Sequence, residues 1–293
     1  MNMIACSEDG QVFVGNLTTG PSDSPFKLYS WADSLGGTPP QVAWAGDPDG
    51  GSAANRWGDS LDVHGTAFGV EAIIGARNSK RIAILNNFGL GSPATLVDVP
   101  AAETGNFGLG LAWGDGDVCW GKASGTALRQ VALDRNTHQG TVLRTITNYP
   151  TMCGIAVDTR NQLLAGYTLE TPDTLRLLNI AEPLSTPLEL DTEFFPTDNG
   201  NANGTGAVRF GTDNFGYSKL FALDSNNGII ALKIGGRLYA SLSGTTLTLT
   251  WQGTHALQSS PDLTQEFTDV PGAVSGYTVE VPQMPRLFYR LKD

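Results

Sequence analysis

Five side chains carrying oxygen donors stand just ahead of five short apolar runs: Asn2, Asp59, Asn106, Asn148 and Asn203. If the runs lie side by side, these oxygens gather near one axis. Ca²⁺ takes six to eight oxygen ligands and tolerates irregular geometry, so the set is read as calcium ligands. Inside the second run, Asp62 and His64 are two residues apart and share one face of an extended strand. His64 is the candidate general base and Asp62 the second candidate catalytic residue, because an imidazole exchanges protons near neutral pH. A cation that polarises a carbonyl, next to a base, is equipment for hydrolysis. Each position also has a plainer reading. Asn and Asp commonly precede strands because their side chains make turns, and a lone strand histidine is commonly structural.

The elements that must position these residues repeat. The five runs open Met3-Ile-Ala-Cys, Asp59-Ser-Leu-Asp-Val-His, Gly108-Leu-Gly-Leu-Ala-Trp, Cys153-Gly-Ile-Ala-Val-Asp and Ala207-Val-Arg-Phe. They recur roughly every 45 residues, with four short strands per repeat, which is the signature of a β-propeller. Blades are expected over about 1–46, 57–100, 106–147, 151–195 and 204–235, the last with three clear strands. From about Leu238 the pattern changes. Thr245 to Trp251 alternates strictly, as a half-exposed antiparallel strand does, and four further short strands follow between Pro, Gly and Asp. The expected fold class is all-β: a propeller of about five four-stranded blades over 1–236, then a small antiparallel, sandwich-like β module over 237–293.

Composition limits the function. With 40% hydrophobic residues the chain can build a core, and its 36 glycines suit many tight turns. The net charge of -11 repels phosphate, so nucleic acid is not an expected partner. The three cysteines, Cys6, Cys119 and Cys153, form no CxxC pair and are read as buried thiols. No Gly-x-Ser-x-Gly elbow, P-loop or dinucleotide fingerprint is present. Trp44, Trp57, Trp113 and Trp120 are read as packing between blades, with a sugar-stacking platform as the alternative. No transmembrane run and no signal peptide is legible, and the composition favours a mature or truncated form of a secreted protein.

Two resemblances extend this reading. Leu257-Gln-Ser-Ser-Pro-Asp-Leu, Phe267-Thr-Asp-Val-Pro-Gly-Ala and Leu287-Phe-Tyr-Arg-Leu resemble a C-terminal module of many exported bacterial proteins, with Phe267 where Trp is usual. Val14-Gly-Asn-Leu-Thr, Phe26-Lys-Leu-Tyr-Ser-Trp and Arg56-Trp-Gly-Asp-Ser-Leu-Asp-Val resemble an uncharacterised bacterial secreted propeller family. These resemblances imply export to a bacterial surface or medium, and no activity. The calcium-dependent propeller lactonases are similar in architecture only. The leading expectation is a calcium-dependent hydrolase of a lactone or ester, acting on an acyl-homoserine or sugar lactone in the propeller channel. The alternative is a non-catalytic extracellular module that binds a glycan or a protein.

Overall fold

The computed structural model describes residues 2–19, 25–32, 37–49, 55–66, 69–86, 88–90, 92–181, 187–201, 204–212, 218–236, 238–251, 255–281 and 286–292. Among them every regular element is a strand, apart from isolated turns, and no helix is long and apolar enough to cross a membrane. The chain divides into two compact units, Met1–Arg209 with Ala222–Ile230, and Phe210–Phe221 with Ala231–Asp293.

The first unit is built from antiparallel meanders. Strands β1 (Met3–Cys6), β2 (Val12–Gly15), β3 (Phe26–Trp31) and β4 (Gln41–Gly46) pair in sequence order. The second meander is β5 (Asp62–His64), β6 (Glu71–Gly75) and β7 (Arg81–Leu85), then, past β8 (Gly89–Leu90), β9 (Thr95–Asp98). The third is β10 (Gly110–Trp113), β11 (Val118–Lys122), β12 (Leu128–Asp134) and β13 (Gln139–Ile146). The fourth is β14 (Met152–Asp158), β15 (Leu163–Thr168), β16 (Thr174–Asn179) and β17 (Leu188–Phe194). A three-stranded sheet follows, in the order β18 (Gly206–Thr212), β19 (Ser218–Asp224), β20 (Gly228–Lys233).

Burial runs from inside to outside in the fourth meander. β14 is buried over its first five residues, β15 throughout, and β17 is almost wholly exposed. That gradient explains why β15 reads as a continuous apolar run while outer strands carry charge. The first strands of successive meanders are neighbours: β1 packs on β5, β5 on β10, and β10 on β14. First strands gathered around a centre, with each sheet running outward, are the arrangement of a propeller.

Large aromatic residues fill the space between sheets. Phe13, Phe26, Trp44 and Trp57 share one cluster with Leu61 and Ile74, and Phe107 and Trp113 anchor a second. Trp120 packs with Tyr149, Met152 and Ile155 in a third. All four of these tryptophans are buried, as the packing reading requires. The meanders are also stitched at their outer strands, β4 to β8 and β13 to β9, by short parallel pairings. Of the cysteines, Cys119 and Cys153 are buried, whereas Cys6 is exposed at the end of β1.

The second unit holds β21 (Tyr239–Ser243), β22 (Thr246–Thr250), β23 (Ala256–Ser260), β24 (Thr268–Asp269), β25 (Tyr277–Glu280) and β26 (Phe288–Lys292). They form two three-stranded antiparallel sheets, β21–β22–β25 and β24–β23–β26. Leu249, Trp251 and Leu257 make the small core of this unit.

Candidate functional site

The centre of the first unit is nearly filled. Met3, Leu61, Leu111, Ile155 and Val208 line it, leaving a cavity of about 10 Å³. That is room for about one water molecule. Arg209, on β18, closes it with three hydrogen bonds. Its guanidinium donates to the carbonyls of Ile4 (2.9 Å), Leu61 (2.8 Å) and Val208 (2.8 Å). Beside it, Asp62 Oδ2 accepts the Trp113 backbone N–H at 2.8 Å. Burial raises the Asp62 carboxyl above its ordinary value, and the Arg209 charge and the Trp113 N–H pull against that rise. Asp62 is therefore a half-buried structural tie between β5 and β10.

His64 lies at the end of β5, where the strand meets its turn. Its ring stacks on the Trp113 indole, with centroids 4.1 Å apart and planes at 5°. Its Nε2 lies 3.2 Å from Glu71 Oε2. The pair is fixed by strand register, because His64 and Glu71 face each other across β5 and β6. The turn between them depends on Gly65, at φ +85°, where a Cβ would lie 2.4 Å from the Gly69 carbonyl oxygen.

Glu71 is itself clamped. Arg135 donates to its two oxygens at 2.5 and 2.7 Å, and Asn86 adds a bond of 3.4 Å. The Arg135 fork holds the Glu71 carboxyl far below the usual range, at about 2, with burial opposing and His64 assisting. Arg135 also donates to Asp117 at 2.8 Å. A carboxylate that accepts at Nε2 fixes the neutral imidazole as the Nε2–H tautomer. The lone pair is then on Nδ1, and the side chain is 32% exposed. An oriented imidazole on a partly exposed side chain is able to take a proton from water.

The oxygen donors distribute differently. Asn2 and Asp59 come together: Asn2 Nδ2 donates to the Gly58 carbonyl at 2.8 Å and lies 3.4 Å from Asp59 Oδ1. Both Asp59 oxygens are taken by Arg56, at 2.5 and 2.8 Å. Asn106 is fully buried and donates to Thr126 Oγ1 and the Ala127 carbonyl. Its Oδ1 is buried with no partner among the described residues. Asn148 is exposed between β13 and β14, and Asn203 lies outside the described residues. Among the described residues no three His, Cys, Asp or Glu side chains are grouped to hold a metal ion. A cation at Asp59 would have to displace the Arg56 guanidinium, so the described donors do not fit calcium as they stand.

Glu71, Arg135 and the Trp113 stack were not anticipated from the sequence. A signal for Glu71 existed: it opens the strand after the His64 turn, and antiparallel pairing across that turn sets the two opposite each other. Arg135 had none, since it reaches Glu71 from 64 residues away.

No family model matches the chain, and no curated protein matches it. Solved structures show distant likenesses. One is a "putative 6-phosphogluconolactonase" from Bacteroides fragilis, at 13% identity and a TM-score of 0.37, covering 98% of this chain and 86% of that one. The Dos1 propeller is similar at 13% identity and a TM-score of 0.39, over 85% of this chain and 64% of that one. A chain of a mitotic checkpoint complex is similar at 12% identity and a TM-score of 0.41, over 85% and 69%. At this distance they carry nothing about activity.

Proposed function

We propose that this chain hydrolyses a lactone or ester at the mouth of the inner-strand ring beside His64. The observation that carries the reading is the His64 imidazole held between Trp113 and a clamped Glu71. His64 Nδ1 takes a proton from water as the oxygen attacks the carbonyl carbon. The tetrahedral oxyanion collapses, the acyl–oxygen bond breaks, and the leaving alkoxide takes the proton back from Nδ1. Glu71 stabilises the transient imidazolium and Trp113 shields one face of the ring. The substrate sits outside the ring, because the central cavity of about 10 Å³ admits none. No step passes through calcium. The same proposal takes the first unit as five blades, the last three-stranded, and the chain as a secreted or surface protein of a bacterium with a C-terminal β module.

A second reading, a non-catalytic module for a glycan, is favoured by a different place. A groove of about 70 Å³ runs beside Trp120, with Asp115, Gln130, Arg144, Thr159 and Gln162 along it. Trp120 itself is buried under Arg144, so the polar side chains would do the recognition, and such groups suit a sugar. Acid release from a panel of acyl-homoserine and sugar lactones, with calcium and with EDTA, tests the first reading. Glycan binding without turnover favours the second.

A further inference from the structure

We propose that Asp173 and Asp224 share a single proton, and that this proton latches segment 195–201 and the β19–β20 turn onto the turn ahead of β16. The latch opens as pH rises. Asp173 is 4% exposed and Asp224 fully buried. Asn227 Nδ2 lies 2.9 Å from Asp173 Oδ2, 2.9 Å from Asp224 Oδ2 and 2.8 Å from the Asn199 carbonyl. An amide nitrogen has two hydrogens, so it cannot satisfy all three acceptors at once. Both carboxyl groups converge on that one amide, and two buried carboxylates held so close favour a proton on one of them.

Asp224 accepts from both Asn227 and Asn201, and Asp173 from Asn227 and from the Glu170 backbone N–H. Burial first, then the Asp224 contact and charge, then Asp198, push the Asp173 carboxyl up to about 7. The other titratable groups acting on the pair from the packed elements are Tyr167 and Cys153, both neutral at that pH. Glu170 stands in the same turn as Asp173 and is drawn off by Arg176. What the latch holds is specific. Asn199 N–H donates to Asn227 Oδ1 at 2.5 Å, Thr197 N–H to the Asn227 carbonyl at 3.3 Å, and Ser225 N–H to the Thr205 carbonyl at 3.1 Å. Thr205, which accepts from Ser225, leads directly into β18, which lines the central cavity.

A raised carboxyl means that the folded state holds a proton which the unfolded chain releases at lower pH. Its effect on stability is nil below the unfolded value near 4 and grows to a full penalty as pH rises through about 7. The test is denaturant unfolding of wild-type and Asp173→Asn protein from pH 4 to pH 8. Asn supplies a donor where the protonated acid did. The ratio of wild-type to variant folding constants should fall by about tenfold per pH unit between about pH 4 and pH 7 and level off above. A ratio independent of pH overturns the proposal. If Asp173→Asn fails to fold, carboxyl ¹³C resonances of the wild type decide. One of the assigned Asp173 and Asp224 carboxyls still protonated at pH 5.5 is the predicted result, and both ionised at that pH is the contrary one.

Discussion

The imidazole of His64 lies flat against the indole of Trp113, 4.1 Å between centroids and 5° from parallel. The two residues end the first strands of neighbouring meanders, so the stack is a product of matched strand ends. It leaves His64 little rotational freedom, and the Glu71 contact at 3.2 Å removes what is left. A histidine held on two sides is pre-positioned to accept a proton in one direction only.

Replacing Glu71 with Gln should separate positioning from packing. The amide keeps the shape but no longer dictates which His64 nitrogen carries the proton. Hydrolysis should fall on the order of 10²-fold with substrate KM little changed. Nitrogen-15 shifts of His64 should show mixed tautomers in the variant and the Nε2–H form in the wild type.

Glu71 also makes stability depend on acid. Its carboxyl is depressed to about 2 in the folded state against an ordinary 4.5. A depressed acid stabilises fully above the unfolded value and loses that contribution as pH falls toward the folded one. About 3 kcal/mol should disappear between pH 5 and pH 2. In Glu71→Gln that acid-dependent loss should be smaller, read by denaturant unfolding at each pH.

Arg209 should be costly to remove. Arg209→Met leaves the carbonyls of Ile4 and Leu61 without a guanidinium and Asp62 without its nearby positive charge. A loss of about 3 kcal/mol is expected. The deficit should widen from pH 4 to pH 8, because an unopposed Asp62 is disfavoured as an anion.

A smaller side chain change tests the packing of neighbouring sheets. At Gly75, in β6, an added Cβ would lie 1.9 Å from the Phe107 carbonyl oxygen. Backbone cannot yield as a side-chain tip does, so Gly75→Ala should destabilise by about 3 kcal/mol. Thermal unfolding checks it.

The strands were largely legible because their signals are local. β3 falls at Phe26–Trp31 inside the first expected blade, and β14 to β17 fill the fourth, marked by short apolar runs and turn punctuation. The parallel pairings of β4 with β8 and β13 with β9 were not legible, since two or four residues carry no period. The rim donors show the other limit. Asn2 and Asp59 were expected together and are adjacent, but that Arg56 turns back on Asp59 depends on the turn's shape. Asn106 looks like Asn2 in sequence and is buried instead, facing Thr126. His64 was singled out by residue type and position. Its partners come from a hairpin register and from the neighbouring meander, which no short window contains.

The measurement that bears most directly on the account is acid release from the lactone panel by wild-type and His64→Ala protein, each with calcium and with excess EDTA. The account predicts turnover by the wild type that survives EDTA, and a fall of about 10²-fold to 10⁴-fold in a folded His64→Ala variant. Equal turnover in the variant, or none by the wild type on any substrate, would contradict it.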